Sequence, residues 1–244
     1  MSEHIVTYER KGTVGLALLD APRRNALTPA LADAVLEALD TAAADPEVTS
    51  FVIAGRGPGF CSGADLVLLE RVGQDPLQEE NYDGIGRIYT MFARLLTAPI
   101  PPLAAVHGAV VGAGINLALA CDLRLVADDV RIIGFGRAAA HPGGGHLSML
   151  ARRIASNAGP AIALFGQELD ARTAVSCGFA WASVPREDLL GTALDIAAGA
   201  GEDGRLARVL TQTYRAAAAH QLDPAAAILL ERAPQLWSLR RRLG

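Results

Sequence analysis

Two periods of apolar residues run along the chain. "IVTYER" and "TVGLALLD" are short β-rich runs separated by "KG", a pattern that reads as a hairpin. After the polar turn "APRRNALT" the period lengthens. Thr28 has the character of an N-cap and Pro29 that of a first helical residue, and Leu31, Val35, Leu36 and Leu39 mark one face of a helix through "ALADAVLEALDTAAAD". "VTSFVIAG" (Val48–Gly55) reads as a buried strand, the glycine-dense "RGPGFCSGADL" as a loop, and "LVLLERV" as the start of the next helix. Residues 73–85 are polar and weakly patterned, and "GRIYTMFARLLTA" is an amphipathic helix. "PIPPLAAVHGAVV" is expected as one proline-initiated buried strand, followed by "GINLALA", "CDLRLVAD" and "RIIGFG" as helix, strand and short strand.

Strands alternating with helices imply an α/β layered fold. After "HPGGGH" the chain becomes mostly helical. "SMLARRIAS", "GPAIALFG" and "DARTAVSCG" are expected helices, the last closed by Gly178, and "FAWASVP" returns as a strand. The organisation expected is a β/α core over residues 1–187 and a C-terminal helical lid or assembly region over 188–244.

Composition narrows the function classes. With 51% apolar residues the 244-residue chain can bury a sizeable core. The net charge of -4 and the lack of a basic stretch interleaved with aromatics argue against nucleic-acid binding. Three widely spaced cysteines, Cys61, Cys121 and Cys177, without a CxxC, fit a reducing compartment better than a disulfide framework or a zinc site. The charged N-terminus lacks the apolar core of a signal peptide, and no uncharged apolar stretch reaches membrane-spanning length, so a cytoplasmic protein is expected.

The candidate chemistry lies in three glycine-rich loops, at 55–63, 112–114 and 143–145, each after a strand. Glycines serve tight turns, but exposed N–H groups at such loops also bind oxyanions and phosphates. "GRGPG" is not G-x-G-x-x-G, and Pro58 interrupts any helix start there. "GFCSG" fits a nucleophile elbow with Cys61 as nucleophile, yet "RGP" separates it from the strand that an elbow requires. His141 and His146 flank "PGGG" without an obvious third metal ligand; either is a candidate proton carrier. Asp65 and Asp122, at element boundaries, read as caps or loop braces.

Taken together, "RNALT", "FVIAGRGPGFCSGADL", "PPLAAVHGAVVGAGINLALACDLRLVAD", "HPGGGHLSMLAR" and "GQELDARTAVSCGFAWASVP" resemble the crotonase family, also called the enoyl-CoA hydratase/isomerase family. The resemblance runs in family order over about residues 10–185. It implies a crotonase-like spiral β/α core with a C-terminal helical region, and a homotrimer or dimer of trimers. It also implies an acyl-CoA thioester substrate and no tightly bound cofactor, coenzyme A being part of the substrate. Two backbone N–H groups, those of Ala64 and Ala113, would hold the thioester oxygen. Such donors stabilise developing negative charge, and losing one typically costs on the order of 100-fold in rate. The coenzyme A moiety would lie along Arg23, Arg24, Ala26 and Leu27 and along Ser62, Ala64, Asp65 and Leu66, with Arg208 and Arg215 nearest to the family's C-terminal lysine.

The chain departs from the family where hydration is carried out. The two glutamates that family hydratases use fall at Asn116 and, in a less regular stretch, at Phe135. Hydration needs one group to take a proton from water and another to deliver one to carbon. Asparagine and phenylalanine do neither, so classical hydration is not expected. His141, His146, Glu70 and Asp83 are candidates for a relocated acid or base. Alternatives left open are a non-catalytic acyl-CoA binder and a hydrolase built on Cys61.

Overall fold

The computed structural model describes residues 5–135, 141–154, 157–219 and 224–243. Strands β1 (Val6–Lys11) and β2 (Val14–Leu19) form the expected hairpin. The turn α1 (Pro22–Asn25) and helix α2 (Pro29–Ala44) follow, with Thr28 accepting from Leu31 N–H as the N-cap. Strand β3 (Ser50–Gly55) leads through the glycine-rich loop to α3 (Leu66–Gln74) and α4 (Glu79–Leu96). The weakly patterned stretch 73–85 therefore already contains the start of α4. Buried Asn81, which donates to Asp75 O and Arg71 O, ties that start to the end of α3.

The single strand expected from "PIPPLAAVHGAVV" is two, β4 (Pro102–Val106) and β5 (Ala109–Val111), which belong to different sheets. The break is at Gly108, whose φ is +54° and where a Cβ would lie 2.2 Å from Pro58 O. Only glycine allows both the left-handed turn and so close a crossing of the two chains. Helix α5 (Ala113–Ala120), strand β6 (Leu123–Ala127) and strand β7 (Arg131–Ile133) come next. Helix α6 (His146–Arg153) starts earlier than its apolar pattern suggests, and α7 (Ala158–Ala163) follows. Strand β8 (Glu168–Leu169) was not foreseen, and α8 (Ala171–Ser176) precedes β9 (Ala182–Val184). The chain ends in α9 (Leu189–Ala198), α10 (Gly204–Ala219) and α11 (Pro224–Leu243).

One sheet has the order β1-β2-β3-β4-β6-β9, parallel throughout except for the β1–β2 hairpin. A smaller sheet, β5-β7-β8, is stitched to the loop after β3 by bridges Gly59↔Gly108 and Cys61↔Val110. Alternate residues of the large sheet face opposite cores. Leu19, Phe51, Ile53, Ala104, Val106 and Val126 pack with α2, α4 and α5 on one side. Leu16, Val52, Ala54, Leu103, Ala105 and Leu125 pack against Leu189, Ala193 and Ala197 of α9 on the other. Both faces are covered, as parallel sheets require. The helical region expected from residue 188 thus begins with a helix that closes the core. No described helix is long and apolar enough to cross a membrane.

Candidate active site

The site is built where the loop after β3 meets the turn between β5 and α5. Val111 N–H donates to Cys61 O at 3.1 Å, and Gly112 N–H to Ile133 O at 2.9 Å. Glycine lets these backbones touch. A Cβ at Gly63 would lie 2.6 Å from Val111 O and 3.4 Å from Ala113 N, and one at Gly114 would lie 2.5 Å from Cys61 O. Gly112, with φ of +51°, turns the chain into the entirely buried helix α5. On the other side of the loop, Leu27 N–H donates to Gly63 O at 2.8 Å and Asp65 N–H to Leu27 O at 3.0 Å. Ala64 is held between these two bonds. Among the described residues no backbone carbonyl accepts from Ala64 N–H or Ala113 N–H. Ala113 is the first residue of α5, so its N–H has no partner within the helix and the helix dipole adds positive potential there.

The flanking residues brace this junction. Arg23, Arg24 and Asn25 all have left-handed φ, of 55°, 61° and 58°. Such a run is costly for residues with side chains, and Asn25 holds it: its Oδ1 accepts from Ala21 N–H, and its Nδ2 donates to Arg56 O and Phe60 O. Asn25 was not singled out from the sequence, although asparagine is the side-chain-bearing residue most at home in that conformation. Ser62 donates to Arg23 O at 2.7 Å, and its N–H to Arg24 O. Buried Asp65 caps α3 through Leu68 N–H and forms an ion pair with Arg23 at 2.6 Å, which confirms its reading as a brace. At the loop's base, His107 Nε2 and Arg186 Nη2 both meet Gly57 O, and burial lowers the His107 pKa.

Asn116, Phe135 and His146, far apart in sequence, come together beside Gly112. Asn116 is 1% exposed and His146 is fully buried. Asn116 Nδ2 donates to Gly143 O at 3.0 Å, while its Oδ1 lies 2.7 Å from His146 Nδ1. With the amide N–H committed to a carbonyl, Oδ1 is the acceptor and His146 Nδ1 carries the proton. Nε2 is buried, with no hydrogen-bond partner among the described residues. Burial lowers the His146 pKa to about 4, so the ring is neutral at physiological pH. The Phe135 ring meets the imidazole edge-on, with centroids 4.7 Å apart. The same ring packs against Gly112, where a Cβ would lie 3.4 Å from its tip. Tyr89, which no sequence pattern marked, brings its hydroxyl against Gly143, where a Cβ would lie only 1.9 Å away.

Other candidates stay apart. His141, Glu70 and Asp83 are exposed and make no contact with the Asn116–His146 pair among the interactions described. Ala26 and Leu27 are buried, whereas Leu66 is exposed. Arg208 donates to Ala43 O, Asp45 O, Val48 O and Gly204 O, and Arg215 binds Ala98 O and Asp122. Both guanidiniums are therefore occupied as structural ties, contrary to the expectation that they substitute for a phosphate-binding lysine. Cys61 is fully buried, donates to Asn25 O, and has its pKa pushed up to about 12 by burial. A protonated, inaccessible thiol is a poor nucleophile.

A probable enoyl-CoA hydratase of Mycobacterium tuberculosis is 38% identical over 184 residues, 74% of this chain and 68% of that protein. The 1,2-epoxyphenylacetyl-CoA isomerase of Escherichia coli is 28% identical over 81% of this chain and 76% of its own. The crystal structure of an enoyl-CoA hydratase from Polaromonas superposes with a TM-score of 0.86 at 26% identity, covering 96% of this chain and 91% of that one. The family model for enoyl-CoA hydratase/isomerase matches residues 9–232, and the chain belongs to the enoyl-CoA hydratase/isomerase (crotonase) family.

Proposed function

We propose that this protein binds an acyl-CoA thioester and stabilises negative charge on its carbonyl oxygen with the N–H groups of Ala64 and Ala113. The observation that carries this reading is the backbone junction itself. Gly63 lies against Val111 and Ala113, and the two N–H groups have no described carbonyl partner. Preorganised donors of this kind stabilise an enolate or tetrahedral oxyanion without reorganising during the reaction. Arg23 and Arg24, exposed on the strained turn beside Ser62, are the proposed partners of the coenzyme A phosphates. The partners of Ala113 in the site are Asn116 and Phe135 rather than two carboxylates, so the reaction proposed is one of the family's thioester-enolate or thioester-oxyanion chemistries other than two-carboxylate hydration.

Names of relatives support the substrate class, since the proteins compared above are named for enoyl-CoA and phenylacetyl-CoA derivatives. A homotrimer, alone or paired, is the proposed assembly. Leu164, Phe165 and Trp181 are largely exposed on the single chain and suit an interface between copies. A second reading, a non-catalytic acyl-CoA binder, is favoured by Asn116 and Phe135, neither of which ionises. A panel of crotonyl-, 3-enoyl-, butyryl- and malonyl-CoA, followed by mass spectrometry, separates the two. Conversion of any of them supports the enzyme, whereas binding of all four without conversion supports the binder. Rapid hydration of crotonyl-CoA would refute the argument from the missing carboxylates.

A further inference from the structure

The Asn116–His146 pair has a built polarity. Asn116 Nδ2 is anchored on Gly143 O and its Oδ1 takes the Nδ1 proton of His146. That fixes the tautomer and leaves the Nε2 lone pair, unpartnered among the described residues, in a fully buried ring. A buried lone pair without a donor is costly to maintain, so it calls for a ligand that presents a proton. Phe135 meets both this ring and Gly112, the residue before Ala113, and Asn116 stands three residues after Ala113 in α5, so the pair adjoins the start of that helix.

We propose that His146, positioned by Asn116, is the general base that removes the α-proton of an acyl-CoA. This inference rests on the acyl-CoA reading above. In the step, the C2–H bond breaks and Nε2–H forms. The C–H electron pair becomes the C1–C2 double bond of the enolate, and the carbonyl π pair moves onto the oxygen held by Ala64 and Ala113. The imidazolium keeps its Nδ1–H bond to Asn116 Oδ1. It then returns the proton to C2, giving exchange, or, in a 3-enoyl thioester, to C4, moving the double bond into conjugation. No water, oxidant or further reactant is consumed.

Its strength suits the task. With a pKa of about 4, the neutral imidazole is about as basic as an ordinary glutamate, whose model value is about 4.3. Burial is the cause of that shift. Among the described residues, the titratable groups on adjoining elements are the Tyr89 phenol on α4, exposed His141 in the preceding loop, and Arg152 and Arg153 at the far end of α6. Among the described residues, those that touch the pair (Phe135, Gly143 and Gly144) carry no charge.

The experiment is deuterium uptake at C2 of butyryl-CoA in heavy water, read by mass spectrometry, beside calorimetric binding of the same thioester. The wild type is expected to exchange at a rate that is flat above about pH 6 and falls as the pH drops toward about 4, where Nε2 becomes protonated. His146→Gln should bind butyryl-CoA as the wild type does and lose at least about 100-fold in exchange. Asn116→Asp places a carboxylate on Nδ1–H and should move the acid limb upward by about 1–3 pH units, a shift that a merely structural residue would not produce. Binding without exchange in the wild type, or unaltered exchange in His146→Gln, overturns the base assignment and leaves the acyl-CoA reading standing. Failure to bind butyryl-CoA overturns that reading and this one with it.

Discussion

Gly63 and Gly57 offer a matched pair of perturbations. Both lie in the loop after β3 and both have left-handed φ, +90° and +81°. Alanine at either position pays a conformational penalty of about 1–2 kcal/mol, which for a chain of this size lowers the melting temperature by roughly 2–8 °C. They differ in what the new methyl meets. At Gly57 it meets nothing within 4 Å, while at Gly63 it would lie 2.6 Å from Val111 O. Ordinary contact begins at 3.4 Å, so the 63–64 loop and the 111–113 turn must separate by about 0.8 Å. Displacements near 1 Å cost on the order of 100-fold in reactions that depend on positioning. Gly57→Ala is therefore expected to lose stability and keep its thioester chemistry. Gly63→Ala is expected to lose more stability and about 100-fold in turnover or α-proton exchange. Thermal melts and rate measurements on the two variants decide the matter. Equal rates in Gly57→Ala and Gly63→Ala would refute the claim that the contact between loop and turn sets the geometry of the two donors.

Three further outcomes are expected. Because the folded pKa of His146 lies near 4, below its ordinary 6.5, the fold prefers the neutral ring; that contribution is complete above pH 6.5 and is lost as the pH falls toward 4, by about 3 kcal/mol in total. Denaturant titrations at pH 7 and pH 4.5 should thus show a smaller acid loss for His146→Gln than for the wild type, and an equal loss contradicts the shift. Cys61→Ala should leave thioester affinity and turnover unchanged, and alkylation of the native protein should reach half-buried Cys177 before Cys61. Arg208→Met, which strips its partners from four carbonyls, should cost about 2–4 kcal/mol in chemical denaturation without altering affinity for butyryl-CoA; weakened affinity would return Arg208 to the phosphate site.

Much of this architecture could be read along the chain, because alternating burial on the large sheet and the 3.6-residue face of α2 leave their periods in the residues themselves. The glycines at 63, 112 and 114 likewise marked the close approach of two backbones, since each stands where a Cβ would strike a carbonyl or force a left-handed turn. What escaped is what only three dimensions bring together. The strand through "PIPPLAAVHGAVV" is uniformly apolar, so nothing local marks the change of sheet at Gly108 except a glycine among many. Asn116, Phe135 and His146 were each visible as positions of interest, but their hydrogen bond and edge-on ring contact join residues 30 and 11 positions apart. Asn25 gave no pattern at all, its value lying in a left-handed φ and in carbonyls more than 30 residues away. Arg208 and Arg215 look like free cations in sequence and are bound to main chain in the fold.

The most direct test is a structure with a bound acyl-CoA. The account predicts a thioester oxygen 2.7–3.1 Å from both Ala64 N and Ala113 N, the usual donor distance for a stabilised oxyanion, and the acyl α-carbon on the His146 side of that oxygen. A thioester oxygen bound anywhere else would contradict it.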